Sequence, residues 1–328
     1  MHPSIPPTTG YDIVSSSPYR YRAVCAIALV VLSSGCSASI PEAARPPEFS
    51  QERAWSHLTS QVAFGPRVAG HAPHDSQLRW MRKQLSVTAD TVIVQAFTDR
   101  AGGENQLRFG NVWARWKPEA TERVLLATHW DTPLRAERDP EENKQAYPVP
   151  GANEGASGTA VLMELALLLH EKAPQIGVDI LLVDGSYYGR DGATEGLGMR
   201  HFLASRPAGY KPRWAVYVAR VGDRVLQIPM EGSTAKAAPD LAKRVWDVAR
   251  EVGLDSVFVA RTGPVQPGDH HLLTAAGIPT VAVIDPEFGR GNELWRTRDD
   301  VIASTRMESL YQVGHVLAAF VYREAPAK

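Results

Sequence analysis

The chain has 328 residues, of which 44% are hydrophobic and 22% charged, values ordinary for a globular protein with a sizeable core. Its formal net charge of -1 gives no electrostatic reason to expect binding to nucleic acid or to an anionic membrane surface. The two cysteines, Cys25 and Cys36, both lie near the N-terminus, so the rest of the chain contains no disulfide, thiol nucleophile or thiolate ligand.

The first segment with a distinct pattern is a short apolar run. Arg20 and Arg22 precede the apolar residues 23–32, and small residues follow up to Cys36. A basic flank, about ten apolar residues and a small-residue exit are typical of a secretory signal, whereas a transmembrane helix needs about 20 residues. We therefore predict an export signal and short linker over 1–46 and a location in the periplasm or cell envelope. Contact with a membrane is expected only through acylation of Cys36, because the glycine–cysteine pair resembles a lipoprotein cleavage site.

From residue 47 the pattern changes to alternating strands and helices. The spacing of apolar residues predicts helices over 51–62, 75–85, 156–170, 196–205, 237–252, 270–276 and 304–322. Apolar runs predict strands over 91–97, 108–116, 123–130, 178–185, 213–221 and 279–285. The charged, proline-rich segment 135–150 has no periodicity and is predicted to be a surface loop.

This alternation predicts one α/β domain over 47–328. Its expected architecture is three-layer αβα, in which helices cover both faces of a mixed, mainly parallel sheet. Ligands bind such sheets at the carboxyl ends of the strands, so the segments that follow strands are the candidate site. The segments that follow strands are THWDT (128–132), DGSYYG (184–189), ARVGD (219–223) and the irregular 288–300. Two further segments, GANEGASG (151–158) and PGDHH (267–271), open helices between them.

Several of these segments resemble, in the same order along the chain, the motifs of M28-type zinc aminopeptidases and of the related glutaminyl-peptide cyclotransferases. His129 and Asp131 match the HxD motif, and GANEGASG matches G-A-[NT]-D-[NS]-x-[SA]-G. LLVDGSYYG matches a strand ending in D-G-E-[ED], GDHHLLTAAGIP resembles D-D-H-x-x-[FL]…G-[IV]-P, and ELWRTRDD resembles W-H-T-x-x-D. The resemblance implies the zinc-dependent exopeptidase (phosphorylase/hydrolase-like) fold. It also implies a site of imidazoles and carboxylates around one or two zinc ions, where the metal activates a water or polarises a carbonyl.

In this chain the zinc site that the resemblance implies is incomplete. The metal-binding histidine is His129, with Asp131 to orient it, and Glu154 replaces the aspartate ligand of the glycine-rich turn. The position of the general base holds Ser186. The remaining ligand positions hold Tyr187, Ala219 and Arg296.

A zinc site needs at least three protein ligands, and a guanidinium has no lone pair to offer. We therefore predict no bound cofactor and a non-catalytic binding or scaffolding module, with peptide N-termini or another envelope component as partner. Without a metal, Glu154, Asp131 and Asp269 would face one another. We expect Arg296 to pair with Glu154 and supply the missing positive charge.

Two catalytic alternatives stay open. One is an active metal-dependent aminopeptidase or glutaminyl-peptide cyclotransferase that acts on peptide N-termini. Its zinc would be held by His129, Glu154, Asp269 and His270, or the site would be completed by Asp191 or Glu195. The other is a metal-free hydrolase using Ser186, His129 and Asp131, although no nucleophile-elbow motif surrounds Ser186.

Structural roles compete with these functional ones. Asp269 stands where an aspartate would cap a helix, and His129 would serve as a hydrogen-bonded pocket histidine. Tyr187 would either fill the old pocket or contact a ligand. Trp295, Phe288 and His270 are the other candidate substrate-binding residues.

Overall fold

A six-stranded sheet organises the residues that the computed structural model describes, which are 41–101, 103–188 and 196–327. The strands are β1 (Thr91–Asp99), β2 (Leu107–Trp116), β3 (Arg123–His129), β4 (Gly177–Val183), β5 (Ala215–Ala219), β6 (Ile228–Met230), β7 (Phe258–Thr262) and β8 (Thr280–Ile284). The α-helices are α1 (Gln51–Phe64), α2 (Ala72–Thr88), α3 (Ala156–Glu171), α4 (Leu197–Ser205), α5 (Gly232–Ala237), α6 (Pro239–Glu251), α7 (His270–Ala275) and α8 (Met307–Tyr322). Short 3-10 helices lie at Glu42–Ala44, Glu142–Lys144, Arg290–Asn292 and Ile302–Ser304.

The sheet is mixed and mainly parallel, as predicted. Its strand order is β1-β2-β4-β3-β5-β8, in which β1, β2 and β4 pair antiparallel while β4, β3, β5 and β8 pair parallel. Every residue of the four parallel strands is buried, which explains their continuous apolar runs. Because these strands run in one direction, their carboxyl ends meet at the same edge of the sheet.

Helices cover both faces of the sheet and complete the predicted three layers. On one face α1, α3 and α8 pack together with α6 over a large apolar core. On the other face a smaller core brings Trp113 of β2 together with Phe202 of α4 and with α7. Helix α3 is buried along almost its whole length, so it carries apolar residues on every side rather than on a single stripe.

The fold differs from the sequence-based prediction in two places. The helix expected over 237–252 is α6, which begins at Pro239, and it is preceded by a short helix, α5, that was not predicted; the two are separated at Ala238 because Pro239 cannot continue a preceding helical turn. Strands β6 and β7 form a separate parallel pair that was not predicted, since three and five residues are too few to show a period.

Residues 40–328 form one compact unit. Most of the predicted export segment, including Cys36, lies outside the described residues. Among the described helices, none combines the length and the apolar character needed to cross a bilayer.

Candidate functional site

The predicted site residues meet at the carboxyl edge of the sheet. His129 ends β3, Ala219 ends β5, and Ser186 and Tyr187 follow β4. They line a narrow pocket together with Glu154, Tyr217, Arg220, Pro267, Gly268 and Trp295. The space left between them admits the centre of a water molecule in only about 10 Å³. Ligand pockets commonly enclose roughly 300–1,000 Å³, so the described walls leave no room for a substrate side chain.

The turn before α3 fixes the position of Glu154. Gly155 has φ +84°, and a Cβ there would lie 2.5 Å from the carbonyl oxygen of Asp131, so only glycine fits. The backbone N–H of Glu154 donates to Asp300 Oδ2 at 3.0 Å, and a guanidinium nitrogen of Arg67 donates to the Glu154 carbonyl at 3.0 Å. Both partners are fully buried. The turn is therefore held rigidly from two sides.

The Glu154 carboxylate is the centre of the pocket. It is 1% exposed. The indole Nε1–H of Trp295 donates to Oε1 at 2.6 Å, and the Tyr187 hydroxyl donates to Oε2. His129 Nε2 lies 3.3 Å from Oε2, and an Arg220 guanidinium nitrogen lies 4.0 Å from Oε1. Both carboxylate oxygens are thus engaged by groups of the chain itself.

The electrostatics of this cluster favour an ion pair between His129 and Glu154. Burial alone would lower the pKa of His129, but hydrogen bonds with Asp131 and Glu154 raise it to about 10. Burial would raise the pKa of Glu154, but the hydrogen bond with His129 and the charge of Arg220 lower it to about 2. At neutral pH the site therefore holds an imidazolium and a guanidinium beside the Glu154 carboxylate.

Asp131 holds the chain after β4 in place. Its Oδ2 accepts from the backbone N–H of Ser186 at 2.9 Å and from that of Tyr187 at 3.3 Å. His129 Nδ1 lies 3.2 Å from the Asp131 carbonyl oxygen and 3.5 Å from Oδ1. Asp131 was predicted to orient His129. It also fixes the backbone of Ser186 and Tyr187, which stand at the family's base position and at one of its ligand positions.

The side chain of Asp269 forms a hydrogen bond with Ser186 and none with the backbone of its own helix. Asp269 occupies the N-cap position of α7, but its side chain makes no capping hydrogen bond, which corrects the helix-cap interpretation. Ser186 Oγ donates to Asp269 Oδ2 at 2.5 Å. Burial raises the pKa of Asp269 to about 6. Because His129 Nε2 faces Glu154 while Ser186 Oγ faces Asp269, the described geometry does not assemble a triad of Ser186, His129 and Asp131.

The prediction that Arg296 pairs with Glu154 was wrong. The ion pair of Arg296 among the described residues is with Glu137, and its guanidinium lies over the rings of Tyr187 and Trp295 at 5.1 and 5.2 Å. The guanidinium within ion-pair distance of Glu154 belongs to Arg220, which is 4% exposed and also stacks on Trp295 at 5.0 Å. Positive charge does stand near Glu154, but the nearest sources are His129 and Arg220.

Two candidate substrate-binding residues lie in the interior instead of facing the pocket. Phe288 has no exposed surface, so it packs in the core and does not form a cleft wall. His270 is equally buried, with its ring 5.5 Å from that of Tyr217 and its Nε2 3.7 Å from Glu231. Of the candidate substrate-binding side chains, Trp295 and Tyr187 reach the pocket.

The acids near the DGSYYG segment divide into two groups. Asp184 turns away from the pocket, because its Oδ2 lies 2.9 Å from His74 Nε2 and accepts from the Gly110 N–H at 2.7 Å. Asp191 and Glu195 lie outside the described residues.

Sequence reasoning missed Arg220, Tyr217, Arg67 and Asp300. Arg220 directly follows the matched Ala219, so its place at a strand end was visible, but its φ of +53°, which aims the side chain, was not. Asp300 is the closing aspartate of the segment that resembles W-H-T-x-x-D, so its position was visible, but the sequence did not show that Asp300 and Arg67 bind the backbone of the glycine-rich turn.

The side chains of the described residues do not by themselves form a set that fits a zinc ion. Within 41–101, 103–188 and 196–327, no group of three or more His, Cys, Asp or Glu side chains is placed to hold a metal. This includes the rebuilt set that would use Asp269 and His270. Glu154 already uses both oxygens, and the guanidinium of Arg220 stands next to it. A fixed cation this close opposes a divalent ion.

The sequence model of peptidase family M28 matches residues 111–321. The chain belongs to this family. Two solved structures are similar to it: a Zn-dependent exopeptidase from Parabacteroides distasonis, 26% identical with a TM-score of 0.81, and a glutaminyl cyclase from Bacteroides thetaiotaomicron bound to N-acetylhistamine, 30% identical with a TM-score of 0.81. Each comparison covers 85% of this chain and 100% of the solved chain.

One curated relative matches over a shorter stretch of the chain. The protein YfbL of Escherichia coli (strain K12) is 28% identical over 143 residues, which are 44% of this chain and 40% of YfbL. The chain thus spans less than half the length of this relative. The M28 membership confirms the family and the fold that the sequence motifs indicated.

A buried and an exposed arginine, each in an ion pair, should differ in their contribution to stability. Arg220→Met removes a buried guanidinium beside Glu154, and we expect it to lower the free energy of unfolding by about 3 kcal/mol. Arg306→Met should cost at most about 1 kcal/mol, because Arg306 and its partner Glu308 are both exposed and water screens that pair. Denaturant unfolding, with the exposed Arg82→Met as a control, measures both. If Arg220→Met lost no more stability than the other variant, the assignment of Arg220 as the guanidinium that pairs with Glu154 would be contradicted.

The raised pKa of Asp269 predicts a dependence of stability on pH. The folded state binds this proton more tightly than the unfolded chain, so the stability linked to it is present below about pH 4 and is lost as the pH rises through about 6. Asp269→Asn keeps an acceptor for Ser186 and should raise the free energy of unfolding at pH 8 by up to about 3 kcal/mol. The gain should shrink at pH 4. The exposed Asp255→Asn is the control, and a gain independent of pH would refute the burial argument.

Proposed function

We propose that this chain is a non-catalytic member of family M28 that acts as a binding or scaffolding module. The observation that carries the proposal is the state of Glu154. Its oxygens bind the Trp295 indole and the Tyr187 hydroxyl, and the charges nearest to it are those of His129 and Arg220. In a zinc peptidase these oxygens would face the metal.

The residue at the family's base position supports the same conclusion. Ser186 stands at the base position, and a serine hydroxyl is not a general base at neutral pH. Its own proton is directed to Asp269. Asp269 is buried behind Ser186, so a bound peptide has no direct access to that carboxylate.

The proposed partners are peptide N-termini or another component of the cell envelope. A partner would be bound at the rim of the pocket, because the interior has room for about one water at most. The guanidiniums of Arg138, Arg220 and Arg296 lie against the Trp295 ring on this side of the pocket. The alternative function is an active aminopeptidase or glutaminyl-peptide cyclotransferase with a rearranged metal site.

Metal content and activity separate the two functions. The purified full-length protein, dialysed after exposure to zinc, should retain well below one zinc ion per chain. It should neither hydrolyse an aminoacyl anilide nor cyclise a peptide with an N-terminal glutamine. One stoichiometric zinc ion together with either activity would overturn the proposal.

A restored variant provides the positive control for this measurement. It returns five positions to the family residues by Glu154→Asp, Ser186→Glu, Tyr187→Glu, Ala219→Asp and Arg296→His. Because these changes rebuild a set of carboxylate and imidazole ligands, we expect this variant to bind zinc under the conditions in which the natural chain does not.

We also propose that the protein is exported and anchored through a lipid on Cys36, on the strength of the apolar run 23–32 and the small residues that follow it. Expressed in a bacterium with a lipoprotein pathway, the chain should appear in the membrane fraction, and Cys36→Ser should move it out of that fraction. Cys25→Ser is the matched control and should leave the distribution unchanged. Recovery of the Cys36→Ser variant in membranes would contradict the lipid anchor.

A further inference from the structure

A second cavity lies beside the Glu154 pocket and shares no lining residue with it. It opens between the loop that follows β5 and the loop that follows β8, and its volume is about 500 Å³. This is within the range of roughly 300–1,000 Å³ that small-molecule sites occupy. Its walls are formed by Asp223, Arg224, Val225, Gln227, Arg261, Asp285, Pro286, Glu287, Gly289, Arg290, Leu294 and Ser304.

Two buried aspartates cross-link the loops that form this cavity. Asp223, on the first loop, accepts from the backbone N–H of Gly289 on the second loop at 2.8 Å. Asp285, on the second loop, accepts from the backbone N–H of Gln227 on the first loop at 3.0 Å. The two residues are 5% and 2% exposed. These reciprocal bonds make the cavity a preformed feature of the fold.

The chemistry of the walls combines apolar surface with positive charge. Val225 is 78% exposed, and Pro286 and Leu294 add further apolar surface. Arg261 and Arg290 are exposed, and within the described chain neither has a hydrogen bond or ion pair from its side chain. Two unpaired guanidiniums beside apolar surface suit a ligand that has an anionic group and an apolar body.

The two buried acids of the cavity bond to the backbone of its loops and not to its arginines. Each oxygen of Asp223 and of Asp285 accepts from a backbone N–H, so these carboxylates are directed at the loops. Burial also raises the pKa of Asp285 to about 7, which removes part of its negative charge at neutral pH. Glu287 adds one exposed carboxylate, while Arg224, Arg261 and Arg290 contribute three guanidiniums.

We propose that this cavity is a binding site for a small amphipathic carboxylate, with Arg261 and Arg290 holding the carboxylate and Val225 and Leu294 contacting the apolar part. This site goes beyond the proposed function and does not depend on it. Metal binding or catalysis at Glu154 would leave the second cavity as it is.

Fluorescence titration of the full-length protein tests the site. The probe is 8-anilinonaphthalene-1-sulfonate, an aromatic anion that fluoresces in apolar surroundings. We expect saturable binding that octanoate displaces and that 1-octanol at the same concentration does not. The double variant Arg261→Gln/Arg290→Gln should bind the probe at least about tenfold more weakly, because both charge-assisted contacts are lost.

The matched control is Arg82→Gln/Arg108→Gln, which removes two exposed arginines elsewhere and should change the affinity less than about twofold. Circular dichroism confirms that each variant is folded, and exposed positions give no reason for unfolding. Equal affinity of the two double variants would overturn the site. Displacement by 1-octanol as effective as that by octanoate would overturn the role of charge, and a lack of saturable binding would overturn the cavity as a ligand site.

Discussion

A carboxylate buried at the carboxyl edge of the sheet is the constraint on which this site depends. The turn that carries Glu154 is fixed by Gly155, Arg67 and Asp300, so the carboxylate cannot swing out to water. Burying an isolated charge costs free energy, so a group of opposite charge has to neutralise it. In a zinc peptidase a metal ion would do so. Here a protonated His129 and Arg220 supply the charge, and Tyr187 and Trp295 supply the hydrogen bonds.

The fold could be predicted from the sequence because its signals are local. Fully buried parallel strands have uninterrupted apolar runs, and the helices between them have clear periodicity. The site could be predicted in outline for a related reason, since residues that follow parallel strands meet at one edge. His129, Glu154 and Tyr187 are close together for that reason.

The direction of each side chain could not be predicted in the same way. Arg296 and Arg220 both lie near the pocket, and sequence spacing does not tell which of them faces Glu154. The answer depends on backbone conformation, because both residues have positive φ. The side-chain direction of Phe288 could not be predicted either. An aromatic residue on an irregular loop looks available to a ligand, yet this one fills the core.

The mutual dependence of the charges around Glu154 bears on how the protein evolved. Each replacement is compatible with its neighbours only as a set. Restoring a carboxylate at Tyr187 alone would place two negative groups together, and removing Arg220 alone would leave Glu154 short of positive charge. A lineage that has acquired this arrangement therefore meets a less stable intermediate at the first step back towards a metal site. Under the proposed function, the absence of a metal would therefore be maintained by folding stability rather than by selection on activity.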